Sequence, residues 1–316
     1  MLKKFLKVVV LILVLAFVAL TVFWFARPAD VSFDAVRGGV PNSDYSHFAD
    51  IDGVRIHYQE KGTGTPLVLI HGYTSSTYSW KDVFEPLAKT FHVIAVDLKG
   101  FGFSAKPDGD YTRRAQAVVV THLLEHLKIE EACLCGNSMG GVVALNVALA
   151  NPERVAGLIL VDSAGVEVPG SGSLTPGYLL VPVIGRLLIA LSLTSDKLVR
   201  EGLEKSFYDR TKVTPDRLTN YYRPLKTRGG QLAALRARTQ WEMFPVETEL
   251  ARIIVPTLIV WGAQDQLIPL AAGHKLSSLI KDSKLVVFDN CGHLPQEEMP
   301  ARTIAEITQF VLSRRS

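Results

Sequence analysis

From about residue 47 onward, short apolar runs alternate with stretches of helical periodicity. Leu67 to Ile70, Val93 to Val96, Ala132 to Cys135, Leu158 to Val161, Thr257 to Trp261 and Leu285 to Phe288 are brief, rich in β-branched residues and almost free of polar positions. Runs of that length and composition predict strands buried on both faces. Ahead of them, Asp52-Gly53 between two half-polar segments predicts a hairpin. Helices are expected over Thr112 to Lys128, where Ala115, Val118, Val119, Leu123 and Leu127 recur at helical spacing, over Met139 to Ala150 and over Ala301 to Leu312. Buried strands alternating with helices imply an α/β fold, with a mostly parallel central sheet and helices on both faces. The rhythm lapses over residues 165–249, where Pro169, Pro176, Pro182, Pro215 and Pro224 punctuate helical stretches. That segment reads as a helical insertion on a core formed by residues 47–164 and 250–316.

The N-terminus follows another pattern. Val8 to Ala26 is apolar except for Thr21 and ends in Phe23, Trp24 and Phe25 before Arg27 and Pro28. As a helix it spans roughly 28 Å, close to a bilayer's hydrocarbon thickness, and its bulky end suits an interfacial anchor better than a signal-peptide cleavage site. Residues 1–27 are therefore expected to be a cytoplasmic tail and transmembrane anchor. Residues 28–46, with Gly38, Gly39, Pro41 and Asn42, read as a linker.

Charge reinforces this division. The chain of 316 residues has 34 Lys and Arg against 31 Asp and Glu, and three of the lysines, Lys3, Lys4 and Lys7, precede the first acidic residue. The remainder is electroneutral. It lacks the basic surplus of a nucleic-acid binder, while 48% apolar residues suffice for a core. Lysines on the short side place the N-terminus in the cytoplasm and the rest across the membrane, in the periplasm or outside. Cys133, Cys135 and Cys291 are too few for a disulfide scaffold, and the first two alternate along a strand as inert core thiols would.

The chemistry concentrates in Gly136-Asn137-Ser138-Met139-Gly140, between a predicted strand and a predicted helix. This G-x-S-x-G in a strand-turn-helix context lifts a serine onto a tight turn, where flanking glycines relieve crowding. A serine hydroxyl needs an imidazole to take its proton and a carboxylate to orient that imidazole. Asp265 follows the strand Thr257 to Trp261, and His293 follows Leu285 to Phe288, so Ser138, Asp265 and His293 are the expected catalytic residues, each just past a strand end. Asp162, ending Leu158 to Val161, is an alternative acid. The backbone N–H groups of Met139 and Tyr73 are the expected oxyanion donors. His71 reads as a structural histidine and Asp97 as a brace for the turn Asp97 to Ser104. His122 and His126 lack a third metal ligand, and Gly62-Thr63-Gly64 lacks the helix a dinucleotide loop requires. No cofactor or metal is expected.

Taken together, His71-Gly72, Asp97 to Ser104, Gly136 to Gly140, Asp265 and His293 resemble the α/β-hydrolase superfamily over residues 47–316. The elbow Gly136 to Gly141, Val161 to Gly165 and the anchor are similar to bacterial lipases, esterases and membrane-anchored monoacylglycerol lipases. The resemblance implies an α/β-hydrolase fold with a helical cap or lid at residues 165–249, and a serine at position 138 argues against dehalogenase or epoxide hydrolase chemistry. It implies a carboxylic ester hydrolase acting on a small-molecule or lipid ester through an acyl-enzyme. The same residues also suit thioesters, amides or carbon–carbon bonds beside a carbonyl, and a catalytically silent binding protein is the distant alternative. Within the cap, the apolar stretch Leu174 to Leu193 is expected either to pack on the domain or to meet lipid or an acyl chain.

Overall fold

The computed structural model describes residues 2–169, 185, 196–241 and 244–314. Its core is one eight-stranded sheet in the order β1-β2-β4-β3-β5-β6-β7-β8. The strands are β1 (Ser46–Ile51), β2 (Val54–Lys61), β3 (Pro66–Ile70), β4 (His92–Val96), β5 (Ala132–Asn137), β6 (Val155–Val161), β7 (Thr257–Gly262) and β8 (Ser283–Phe288). The Asp52-Gly53 turn joins β1 and β2 in antiparallel register, with both residues at positive φ (53° and 76°), as a tight hairpin turn requires. β2 is also antiparallel to β4, and every later pairing is parallel.

Alternate residues of the central strands enter two separate apolar layers. Val68, Ile70, Leu134, Leu158 and Leu160 face one layer, with the helices Arg113–His126, Met139–Ala150 and Leu270–Leu279. Leu67, Leu69, Cys133, Cys135, Ile159 and Val161 face the other, with Lys81–Ala88 and Pro300–Leu312. Both faces are covered, which is why the strand sequences are apolar without alternation. The helix Met139–Ala150 is apolar all round for a related reason: it lies in the same layer as Val119, Val120 and Leu123 on one side and Val246 on another. All three cysteines are buried free thiols, and burial pushes Cys133 up to about 12.

None of the described residues of the N-terminal helix Leu2–Ala26 is buried, and from Lys3 to Ala26 it is long and apolar enough to cross a membrane, with mean hydropathy 3.1 over its most apolar 18 residues. It is a candidate transmembrane helix. The segment that follows is held in place rather than free. Pro28 and Ala29 accept hydrogen bonds from the N–H groups of Arg228 and Gly229 (3.0 and 2.9 Å), and Lys106 pairs with Asp30 at 2.7 Å. Phe33 packs edge-on against Phe48 and Phe103. Between β6 and β7 lie the helices Asp196–Ser206, Pro215–Leu225 and Arg228–Thr239. Apart from Gly185, the apolar stretch Leu174 to Leu193 falls outside the described residues.

Candidate active site

β5 ends at Asn137, and Ser138 turns the chain into the helix Met139–Ala150 with φ 55° and ψ −117°. A non-glycine residue there costs on the order of 1–3 kcal/mol and persists only where its surroundings fix it. They do so through three backbone bonds: Ser138 N–H donates to Val161 O (3.0 Å), and Ser138 O accepts from Gly141 and Ala164 (each 3.1 Å). The turn is too tight for side chains beside it. A Cβ on Gly136 would stand 2.3 Å from Gly140 O, and one on Gly140 would stand 2.2 Å from Ile70 O. The serine is therefore presented, half-exposed, at the carboxyl end of the sheet above a helix N-terminus whose first N–H groups have no intrahelical acceptor.

Asp265 and His293 lie on the loops after β7 and β8, which are bound to each other: Gln264 N–H donates to Cys291 O (2.9 Å) and Cys291 N–H to Gln264 Oε1 (3.1 Å). This brings Asp265 Oδ2 to 2.7 Å from His293 Nδ1, with both side chains buried. The other oxygen of Asp265 accepts from the N–H groups of Leu267 (2.7 Å) and Ile268 (3.0 Å). Burial alone would raise the Asp265 carboxyl, but His293 and those two N–H groups outweigh it and hold the carboxyl below its ordinary range. The acceptor at Nδ1 assigns that ring proton and leaves Nε2 as a base. The histidine loop is tied to the serine turn by Asn137, whose Nδ2 donates to His293 O and to Val161 O, each at 3.1 Å.

The loop after β3 closes over the serine. A Cβ on Gly72 would come within 3.1 Å of Ser138 Cβ and 3.2 Å of Asn137 Oδ1, so glycine is what lets this loop approach. The next residue, Tyr73, has no hydrogen-bond acceptor for its N–H among the described residues, while its hydroxyl donates to Ala234 O at 2.8 Å. Met139 N–H is the first of its helix. His71 is fixed as a neutral ring: Nδ1 donates to Gly72 O (2.7 Å), Nε2 accepts from Leu98 N–H (3.1 Å), and burial lowers its basicity. Asp97 binds His57 Nδ1 (2.7 Å) and the N–H groups of Thr77 (2.6 Å) and Phe103 (2.8 Å), a structural brace away from the serine. His122 meets Asp52 on the surface.

Three further side chains near the site have roles that the sequence does not show. Asp162, considered above only as an alternative acid, lies beside Asp265 rather than in its place. Asn137 occupies the unspecified position of G-x-S-x-G. Glu298 accepts from Gly292 N–H (2.7 Å) and from Tyr208 and Asp209 N–H (2.8 and 3.2 Å), linking the histidine loop to the end of the helix Asp196–Ser206. His293 N–H donates to Ser206 O at 2.8 Å across the same junction. Both glutamates of the short helix Pro295–Glu298 are buried.

Residues 65–300 match the family described as alpha/beta hydrolase fold. The 2-hydroxymuconate semialdehyde hydrolase of Pseudomonas sp. (strain CF600) is 33% identical over 270 residues, covering 82% of this chain and 91% of that one. Among solved structures, a membrane phospholipase A described as a bacterial virulence factor is 28% identical with TM-score 0.73, and 99% of each chain is covered. The esterase RhEst1 from Rhodococcus sp. ECU1013 is 25% identical with TM-score 0.70, over 85% of this chain and 98% of that one. The chain belongs to the α/β-hydrolase superfamily and is a hydrolase by that membership.

Proposed function

We propose that this protein is a membrane-anchored serine hydrolase of carboxylic esters, of the lipase or esterase type, acting through an acyl-enzyme. The observation that carries the reading is the strained Ser138 turn, tied through Asn137 to a buried His293–Asp265 pair. Ser138 Oγ attacks the ester carbonyl as His293 takes its proton. The N–H groups of Met139 and Tyr73 hold the resulting oxyanion, and His293 returns the proton to the leaving alcohol; water then repeats the sequence on the acyl-enzyme. Asp265 keeps the imidazole in the correct tautomer.

In this reading the helix from Lys3 to Ala26 is the anchor, with the N-terminus cytoplasmic and the catalytic domain on the far side, and residues 165–249 form a cap over the site. The similarity to a membrane phospholipase A over nearly the whole chain supports a lipid ester, such as a monoacylglycerol, as substrate. The relative named for 2-hydroxymuconate semialdehyde favours a second reading, in which the same residues cleave a carbon–carbon bond beside a carbonyl.

A panel of monoacylglycerols, soluble esters of graded chain length, acyl thioesters and that semialdehyde separates the readings. Ester turnover is expected in the wild type, and covalent labelling by a fluorophosphonate is expected to vanish in Ser138→Ala. Labelling that persists in this variant refutes the assignment of the nucleophile.

A further inference from the structure

Asp162 closes β6 with φ 42°, a strained conformation for a non-glycine residue, and its side chain is wholly buried. Oδ1 accepts from Gly262 N–H at 3.0 Å. Oδ2 has no hydrogen-bond donor among the described residues. What it does have is a second carboxylate: one ligand atom each from Asp162, Asp265 and His293 lie within 4.8 Å of one another. Asp265 already has three partners, in His293 Nδ1 and the N–H groups of Leu267 and Ile268, so it is well satisfied as an anion. Asp162 has one. Two adjacent buried anions repel, and the poorly solvated member is the one that keeps its proton.

We propose that Asp162 is a positioning residue: its neutral carboxyl donates a hydrogen bond from Oδ2 to the Asp265 carboxylate, fixing the acid that in turn orients His293. This rests on the reading of Ser138, His293 and Asp265 as the triad. The strained backbone aims the carboxyl at that pair. Burial first, and then the charge of Asp265, push Asp162 well above its ordinary range. The acidic groups around it favour its neutral form. Among the described residues the titratable groups near it include Asp265 after β7, Cys291 and His293 after β8 and Glu298 on Pro295–Glu298; His293 is already engaged by Asp265, and Lys212, the cation acting on Cys291 and Glu298, is held on the Glu298 carbonyl.

The distinguishing substitution is Asp162→Asn, which keeps an acceptor for Gly262 N–H and places an N–H donor towards Asp265 but cannot ionise. With the full-length protein and a short soluble ester, kcat for Asp162→Asn is expected to remain within about 3-fold of wild type. Its acid limb in kcat/KM should be unmoved. Asp162→Ala, which deletes the donor, should lower kcat by ~10-fold or more with little change in KM. If Asp162→Asn loses as much as Asp162→Ala, or if its acid limb moves to lower pH as removal of a negative charge beside the imidazole requires, the proposal is overturned.

Should the wild type turn over no ester, the proposed function fails first, and this arrangement is then read without turnover. Infrared difference spectra between wild type and Asp162→Asn near neutral pH should show the carbonyl stretch of a buried neutral carboxylic acid in the wild type alone. Its absence from the wild type refutes the hydrogen bond.

Discussion

Ser138 and its two glycines show how much of a site can be encoded locally. The turn from β5 into Met139–Ala150 leaves 2.3 Å between a Cβ on Gly136 and the backbone of Gly140, so Gly136→Ala forces the main chain itself to move. We expect a loss of at least ~3 kcal/mol in stability, measured by denaturant unfolding, together with loss of activity. Asp265→Asn tests the other half of the site. It preserves the shape of the buried pair with His293 but favours the wrong tautomer, so kcat should fall by roughly 10³–10⁴-fold while melting changes little. The serine, histidine and carboxylate were legible because each obeys a local rule, a strand end followed by a loop and, for the serine, glycines at fixed offsets. Asn137 and Glu298 were not, because their roles arise only when loops distant in sequence meet: Asn137 reaches His293, and Glu298 reaches Tyr208; Asp162 was marked by its place after a strand, but as a rival to Asp265 rather than its neighbour.

At the level of elements, legibility followed burial. Strands covered on both faces announce themselves as unbroken apolar runs, whereas the helices Lys81–Ala88 and Leu270–Leu279 were not marked in sequence; the first carries Pro86 and the second is short and begins directly after Pro269. Junctions between elements were equally invisible. The helix Pro215–Leu225 reaches the turn after His293 through Arg217, whose Nε lies 2.8 Å from Glu297 Oε2, and through the Tyr221 hydroxyl, which donates to Glu297 Oε1. Burial dominates over Arg217 and Tyr221 and pushes the Glu297 carboxyl from its ordinary 4.5 up to about 7. A carboxyl raised in the folded state binds its proton more tightly there than in the unfolded chain. Its contribution is therefore full below about pH 4.5 and is lost as pH rises through about 7. Between about pH 4.5 and pH 8 the wild type should lose about 3 kcal/mol of stability relative to Glu297→Gln, which has no proton to release there. Parallel stability profiles for the two proteins, by denaturant unfolding across that range, would remove Glu297 as a titrating contact between this helix and the histidine turn.

For the whole molecule, the attachment of the N-terminal helix matters more than its hydropathy. An exposed apolar helix of this length must be covered by a bilayer or a partner, but a flexible tether would leave the hydrolase free to take any orientation beneath it. Instead Arg27 Nη1 donates to Gln231 Oε1 at 2.6 Å, Pro28 and Ala29 accept the first N–H groups of Arg228–Thr239, and Asp30 and Phe33 continue the contact onto Lys106 and Phe103. The same helix carries Ala234, whose carbonyl receives the Tyr73 hydroxyl beside the serine. One continuous set of contacts thus runs from the end of the N-terminal helix, through Arg228–Thr239, to the loop expected to hold the oxyanion. Truncation at two points separates the role of the apolar helix from that of the segment after it. Removing residues 1–26 deletes no residue described as buried and, beyond that helix, loses the ring contacts of Phe23 and Trp24 with Arg27 and of Phe25 with Arg228, so the product should keep close to the wild-type melting temperature and its activity on a short soluble ester. Removing residues 1–36 also deletes the Phe33 packing and the Asp30–Lys106 pair, a loss of about 2 kcal/mol, which lowers the melting temperature by roughly 5 °C. Because the N-terminus of Arg228–Thr239 then loses the acceptors that fix it, kcat on the short ester should fall as well. Equal melting temperatures and equal kcat for the two truncations would show that residues 27 to 36 act as a tether alone.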